Sequence, residues 1–103
     1  MAQTPEGKVK DVVKEELNHI GAYWHMPVQN GMGRPSLDFN GCYKGMFFAI
    51  ETKAPGKEPT PRQLITIREI EQAGGLVFVI DSVDAARVLG VDIMMHWSKH
   101  HAK

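Results

Sequence analysis

The sequence predicts an α/β domain with a mixed central sheet flanked by helices, in the order α-β-β-β-α-β-α. Three observations carry this reading. An amphipathic helical repeat opens the chain. Two strands around Lys44-Gly45 end in the clearest strand of all, Met46 to Lys53, and a helix then leads to a continuous apolar run, Leu76 to Ile80. A strand, a helix and a further apolar strand in succession imply a right-handed crossover and a mixed sheet with helices packed on it.

The first helix spans Glu6 to Ile20, with Val9, Val13, Leu17 and Ile20 at intervals of four and three on one face. Thr4-Pro5-Glu6 supplies a cap, a proline suited to the first turn and an acid near the positive helix end, and Gly21 ends the helix. Ala22 to Val28 has the composition of a strand, and Gln29 to Pro35, with Gly31 and Gly33, is a loop. Ser36 to Tyr43 and Met46 to Lys53 form a hairpin. Prolines 55, 59 and 61 with Gly56 make a loop; Thr60 then opens a second helix whose buried face is Leu64, Ile67 and Ile70, and Gly74-Gly75 closes it. Leu76 to Ile80 is a buried strand. Asp81-Ser82 caps a third helix through about Leu89. Residues 91–103 read as a loosely held C-terminal tail, with one more short helix as the alternative, behind a single domain whose core is about residues 6–90.

Composition narrows the function classes. A chain of 103 residues fits one core. No apolar run approaches the roughly 18 to 20 residues of a membrane span, and the polar first ten residues lack a signal-peptide core, so an intracellular protein is expected. Cys42 stands alone, which excludes an intrachain disulfide and a thiolate zinc site. Twelve basic residues balance twelve acidic ones, which argues against a protein that coats DNA by charge alone. So small a core, without staple or thiolate metal site, would gain from homodimerisation.

The chemistry gathers at one end of the hairpin. Side chains alternate along Met46 to Lys53, so Glu51 and Lys53 project side by side from an otherwise apolar strand. Taken alone, such a triplet is a strand end emerging into water. Asp38 changes the reading, because it lies on the preceding strand, where cross-strand neighbours come within reach, and is the sole acid between Glu16 and Glu51. A carboxylate from each strand suits a hard divalent cation such as Mg²⁺ or Mn²⁺. The Thr52 backbone carbonyl is a further candidate ligand. Such an ion would polarise a phosphate and acidify a water. Lys53 would orient that water, help deprotonate it or stabilise the transition state; the sequence does not choose among these.

The segments Arg34-Pro35-Ser36-Leu37-Asp38, Gly41-Cys42-Tyr43-Lys44-Gly45, Ile50-Glu51-Thr52-Lys53 and Pro59-Thr60-Pro61-Arg62-Gln63 resemble the virus-type replication-repair nuclease family, VRR-NUC, of the PD-(D/E)xK superfamily. The resemblance covers roughly Glu6 to Asp84. It implies a restriction-endonuclease-like α-β-β-β-α-β core and divalent-metal catalysis by Asp38, Glu51 and Lys53. It also implies a role for Gln63 early in the helix after the catalytic strand, and a metal-completing role for Glu6. Stand-alone relatives imply a homodimer that resolves Holliday junctions. One departure is plain: Leu37, not proline, precedes Asp38, and the nearest preceding glycine is Gly33, so the bend that presents Asp38 is made differently.

Other readings compete at several positions. Thr60-x-x-Gln63 is a capping box, which would occupy the Gln63 side chain, and one amide could serve the cap and the site only at different moments. Glu6 also suits the positive end of its own helix, and Glu15 and Glu16 read as solvated. Lys57, Arg62, Lys44 and Arg34 are candidates for gripping DNA phosphates, Lys57 first among them, against ordinary surface charge. His96 and His100 stand four apart as a possible metal pair in the tail. The expected function is a metal-dependent DNA endonuclease with a preference for branched structure. The alternatives are a flap or single-strand-end nuclease, or an inactive DNA-binding module.

Overall fold

The computed structural model describes residues 3–29, 31 and 33–101. Met1, Ala2, Asn30 and Met32, together with Ala102 and Lys103 at the end of the expected tail, lie outside the described residues.

Helix α1 runs Pro5–His19. The Thr4 hydroxyl accepts the Gly7 N–H at its start, which satisfies one of the orphan donors of the first turn. Val9, Val12, Val13 and Leu17 are buried, and Ile20 packs half-buried beside them. Strand β1 is Tyr23–His25, shorter than the expected 22–28. Its ladder with the next strand stops at His25–Asn40, and Pro27 has no N–H with which to extend it.

Strand β2 is Phe39–Tyr43 and begins three residues later than expected. Leu37 and Phe39 would share a face in a regular strand. Here Leu37 packs with Ala49 and Ile67, whereas Phe39 enters the opposite core with Phe48 and Ile50. The chain therefore bends at Asp38, which supplies the turn that the altered lead-in left open. Strand β3, Met46–Thr52, pairs antiparallel with β2 from Tyr43–Met46 to Phe39–Ile50. Lys44 (φ 46°) and Gly45 (φ 86°) both take the left-handed region between them, as a two-residue hairpin turn requires.

Helix α2, Pro61–Gln72, crosses to β4, Leu76–Ile80, which lies parallel to β3. The sheet order is β1-β2-β3-β4. On one face α2 covers Leu37, Ala49 and Val77, with Ile67 buried and Ile70 partly so. Leu64, expected on that buried face, is exposed; Thr66 is buried in the contact instead.

On the other face Phe39, Phe48, Ile50 and Ile80 meet Val9, Val13 and Leu17 of α1. Two further helices, α3 (Val83–Arg87) and α4 (Leu89–His101), complete that layer. The segment expected as a loosely held tail is thus helical as far as His101. Leu89 and Ile93 are fully buried in the main core. Trp97 packs edge-on to Tyr43 and donates to the Lys44 carbonyl at 3.0 Å. Glu16, expected to be solvated, accepts the Gly90 N–H of the first turn of α4 at 3.0 Å. A side chain at Gly90 would press against Ile20 and that same carboxylate, so the glycine is what lets α4 approach α1.

Candidate active site

Asp38 and Glu51 face each other across the end of the β2–β3 ladder. The register Phe39–Ile50 places them as the next pair. The Glu51 carboxylate accepts the Asp38 backbone N–H at 3.3 Å. In return, Oδ2 of Asp38 accepts both the Thr52 backbone N–H at 2.9 Å and the Thr52 hydroxyl at 2.7 Å. Each acid is thus held by backbone of the opposite strand. Lys53 extends beyond them, its Nζ 3.7 Å from Glu51 Oε2 and its side chain mostly covered.

Gln63 closes the arrangement from α2. Its Oε1 accepts the Thr60 N–H at 2.9 Å, and its Nε2 donates to Glu51 Oε2 at 2.6 Å. The capping box and the site contact therefore exist together. The expectation that they alternate is corrected by the chemistry of a primary amide, whose acceptor serves the cap while its donors serve the carboxylate.

The electrostatics are unusual for one group. Burial pushes the Glu51 carboxyl up from its ordinary 4.5 to about 7, and the nearby Asp38 charge adds to the rise. Lys53 and the Asp38 N–H pull the other way without cancelling it, and Glu6 makes a small further contribution to the rise. Paired carboxylates with too little positive charge between them behave this way. Glu6 itself sits in the first turn of α1, ion-paired with Lys10 at 3.2 Å. Among the described residues no group of three acidic, histidine or cysteine side chains is close enough to hold a metal ion. Glu6 reaches the site through its charge, not as a third carboxylate beside the pair.

The donor set nonetheless fits a hard divalent cation. Two carboxylates lie together, one of them with its pKa raised chiefly by burial and further by its neighbour's charge, which is the imbalance that a cation relieves. The Thr52 hydroxyl was absent from the expected site. A threonine between Glu51 and Lys53 carries a donor that valine would not, but its turn toward Asp38 depends on the bend at Asp38, which no local pattern announces.

The expected DNA contacts separate. Arg62 lies one residue before Gln63, and its side chain with Arg34 lines a shallow groove of about 320 Å³ along Val28, Gln29 and Pro35. Arg34 is also engaged by Glu69 at 2.8 Å. Lys57 is exposed in the loop after β3. Lys44, expected near the site, is at the other end: the seven residues of β3 place it roughly 23 Å away, over the Tyr43 and Trp97 rings. His96 and His100 line a larger groove of about 790 Å³ with Phe47, Ile70 and Leu76. None of Asp38, Glu51 and Lys53 borders that groove.

The sequence matches no family model and no curated protein. Among solved structures, a chain titled "VRR_NUC domain" superposes with a TM-score of 0.71 at 22% identity, over 98% of this chain and 100% of that one. From α1 to the C-terminal helix, this chain has the fold of a VRR_NUC domain.

Proposed function

We propose that the protein is a VRR-NUC nuclease: a Mg²⁺- or Mn²⁺-dependent DNA endonuclease that prefers branched DNA and resolves junctions as a homodimer. The observation that carries the reading is the Asp38–Glu51 pair, interlocked through backbone donors and followed by a covered Lys53. A strand end merely entering solvent has no need of a buried carboxylate set opposite a second, half-buried one.

Asp38, Glu51 and the Thr52 carbonyl are the residues that would hold the ion. Bound there, it supplies positive charge to the scissile phosphate and lowers the pKa of a water. The chain's own groups do the rest. Gln63 and the Asp38 N–H fix both oxygens of Glu51. Lys53 sets an ammonium beside Glu51 Oε2, from which it can donate to the attacking water or to a phosphate oxygen. Arg62, next to Gln63, and exposed Lys57, in the loop after Lys53, would offer positive charge to phosphates beside the scissile bond. Glu6 adds negative charge that strengthens cation capture. Junction preference depends on two such sites facing two strands, and the exposed Val88, Val91 and Met95 offer apolar surface for a second copy.

The test uses labelled four-way-junction, flap, single-stranded and duplex DNA, each with Mg²⁺, Mn²⁺, Ca²⁺ or chelator. Mg²⁺ or Mn²⁺ should support cutting, with the junction cut fastest, and Ca²⁺ should support binding without turnover. Preferential cutting of flaps or free ends would move the reading to the flap class. Binding without cutting under every condition would favour an inactive DNA-binding module.

A further inference from the structure

The residue between Glu51 and Lys53 is free in principle, since its side chain leaves the strand on the face opposite to theirs. Here it is Thr52, almost wholly buried. It meets Asp38 twice, through its backbone N–H and through its hydroxyl, both on Oδ2. The backbone contact has a clear origin. The other edge of β3 is occupied by β4, with Thr52 opposite Ile80, while β2 ends at Phe39 because the chain bends at Asp38. The Asp38 carboxylate thereby takes over the ladder position that the bend removes from β2. Any residue at 52 except proline would supply that N–H. The hydroxyl contact is different, because it depends on side-chain identity.

We infer that the Thr52 hydroxyl is a positioning residue for the metal site. It clamps Oδ2 of Asp38, so that the carboxylate is fixed in rotation and Oδ1 is left for the cation. Two donors at different angles on one oxygen define a plane, whereas the N–H alone leaves the carboxylate free to turn about its terminal torsion, which is broad for aspartate. Thr52 is itself held, because a β-branched side chain in a strand has restricted χ1 and this one is packed on all sides. Hydrogen bonds that orient metal-ligating carboxylates typically change metal affinity 10- to 100-fold when removed. The inference rests on the metal-site reading proposed above.

The test compares Thr52→Val, which keeps shape and strand preference without the hydroxyl, with Thr52→Ser, which keeps the hydroxyl. Mn²⁺ binding is measured by calorimetry on the folded protein without DNA, and cleavage is measured alongside. Thr52→Val should bind Mn²⁺ roughly 10-fold or more weakly, with activity recovered in part by raising Mn²⁺, and Thr52→Ser should stay within about threefold of wild type. Should Thr52→Val fail to fold, Thr52→Ser against Thr52→Ala isolates the hydroxyl at equal loss of the methyl group, with the same ordering expected. Equal Mn²⁺ affinity in the hydroxyl-bearing and hydroxyl-lacking variants would overturn the positioning role while leaving the metal site standing. Absence of Mn²⁺ binding by the wild type itself would overturn both.

Discussion

At the residue scale the site is a set of exchanged hydrogen bonds around an excess of negative charge, and two predictions belong there. Glu51 ionises near 7 in the fold against 4.5 ordinarily. The native chain therefore keeps a proton that the unfolded chain releases between those values. The contribution of this group to stability is complete below about pH 4.5 and is lost as pH rises through 7, a loss on the order of 3 kcal/mol. Thermal unfolding of metal-free wild type and Glu51→Gln from pH 4.5 to 8 checks this: the wild type should lose stability relative to the variant across that window. Parallel curves would contradict it. The second prediction separates the two ends of the Gln63 amide. Gln63→Ala should lower stability by about 1 kcal/mol through the lost hydrogen bond from the Thr60 N–H and also impair cleavage. Gln63→Glu keeps an acceptor for the Thr60 N–H but sets a third carboxylate against Glu51, so denaturant unfolding should show the cap retained while cleavage falls.

How much of this was legible in the sequence differs by residue. Glu51 and Lys53 follow from strand alternation, and Asp38 from being the sole acid on the facing strand. The Thr52 clamp and the double use of Gln63 were not legible. Both depend on where the chain bends and on how α2 lies against β3, which are facts of packing with no local pattern.

At the scale of elements, apolar periodicity located α1, α2 and every strand, and β4 appears with the expected bounds. The misses have physical causes. β1 and β2 are shorter because Pro27 and the bend at Asp38 end their pairing. The helix α4 was hidden by its polar end, where Lys99, His100 and His101 follow one another; its buried side is carried by a few residues, chiefly Leu89 and Ile93. If that helix is integral, Ile93→Ala should destabilise the protein by about 2–5 kcal/mol, measured by denaturant unfolding. A loosely held tail would make the substitution silent.

At the scale of the whole molecule, a net charge of zero conceals an uneven arrangement. The acidic pair lies at one end of the hairpin with Lys57 and Arg62 close by in sequence, and Lys44 lies at the other end, pinned over two aromatic rings. DNA engaged at the site should therefore feel Lys57→Ala and not Lys44→Ala. Binding titrations in Ca²⁺ should show several-fold weaker affinity and a salt dependence reduced by about one unit for the first, with the second unchanged. A comparable loss for Lys44→Ala would mean that DNA crosses the hairpin turn. No helix among the described residues is long and apolar enough to cross a membrane. The superposition over nearly the entire chain accounts for the arrangement of sheet and helices as one VRR_NUC fold.

Asp38 and Glu51 together are what we propose as the metal site of a nuclease. The most direct measurement is cleavage of four-way-junction DNA in Mn²⁺ by wild type, Asp38→Asn and Glu51→Gln, with circular dichroism confirming that each is folded. The wild type should cut, chelator should abolish the cutting, and either variant should lose at least about 100-fold. Cutting that survives Asp38→Asn or Glu51→Gln, or that persists in chelator, would contradict the proposed metal site.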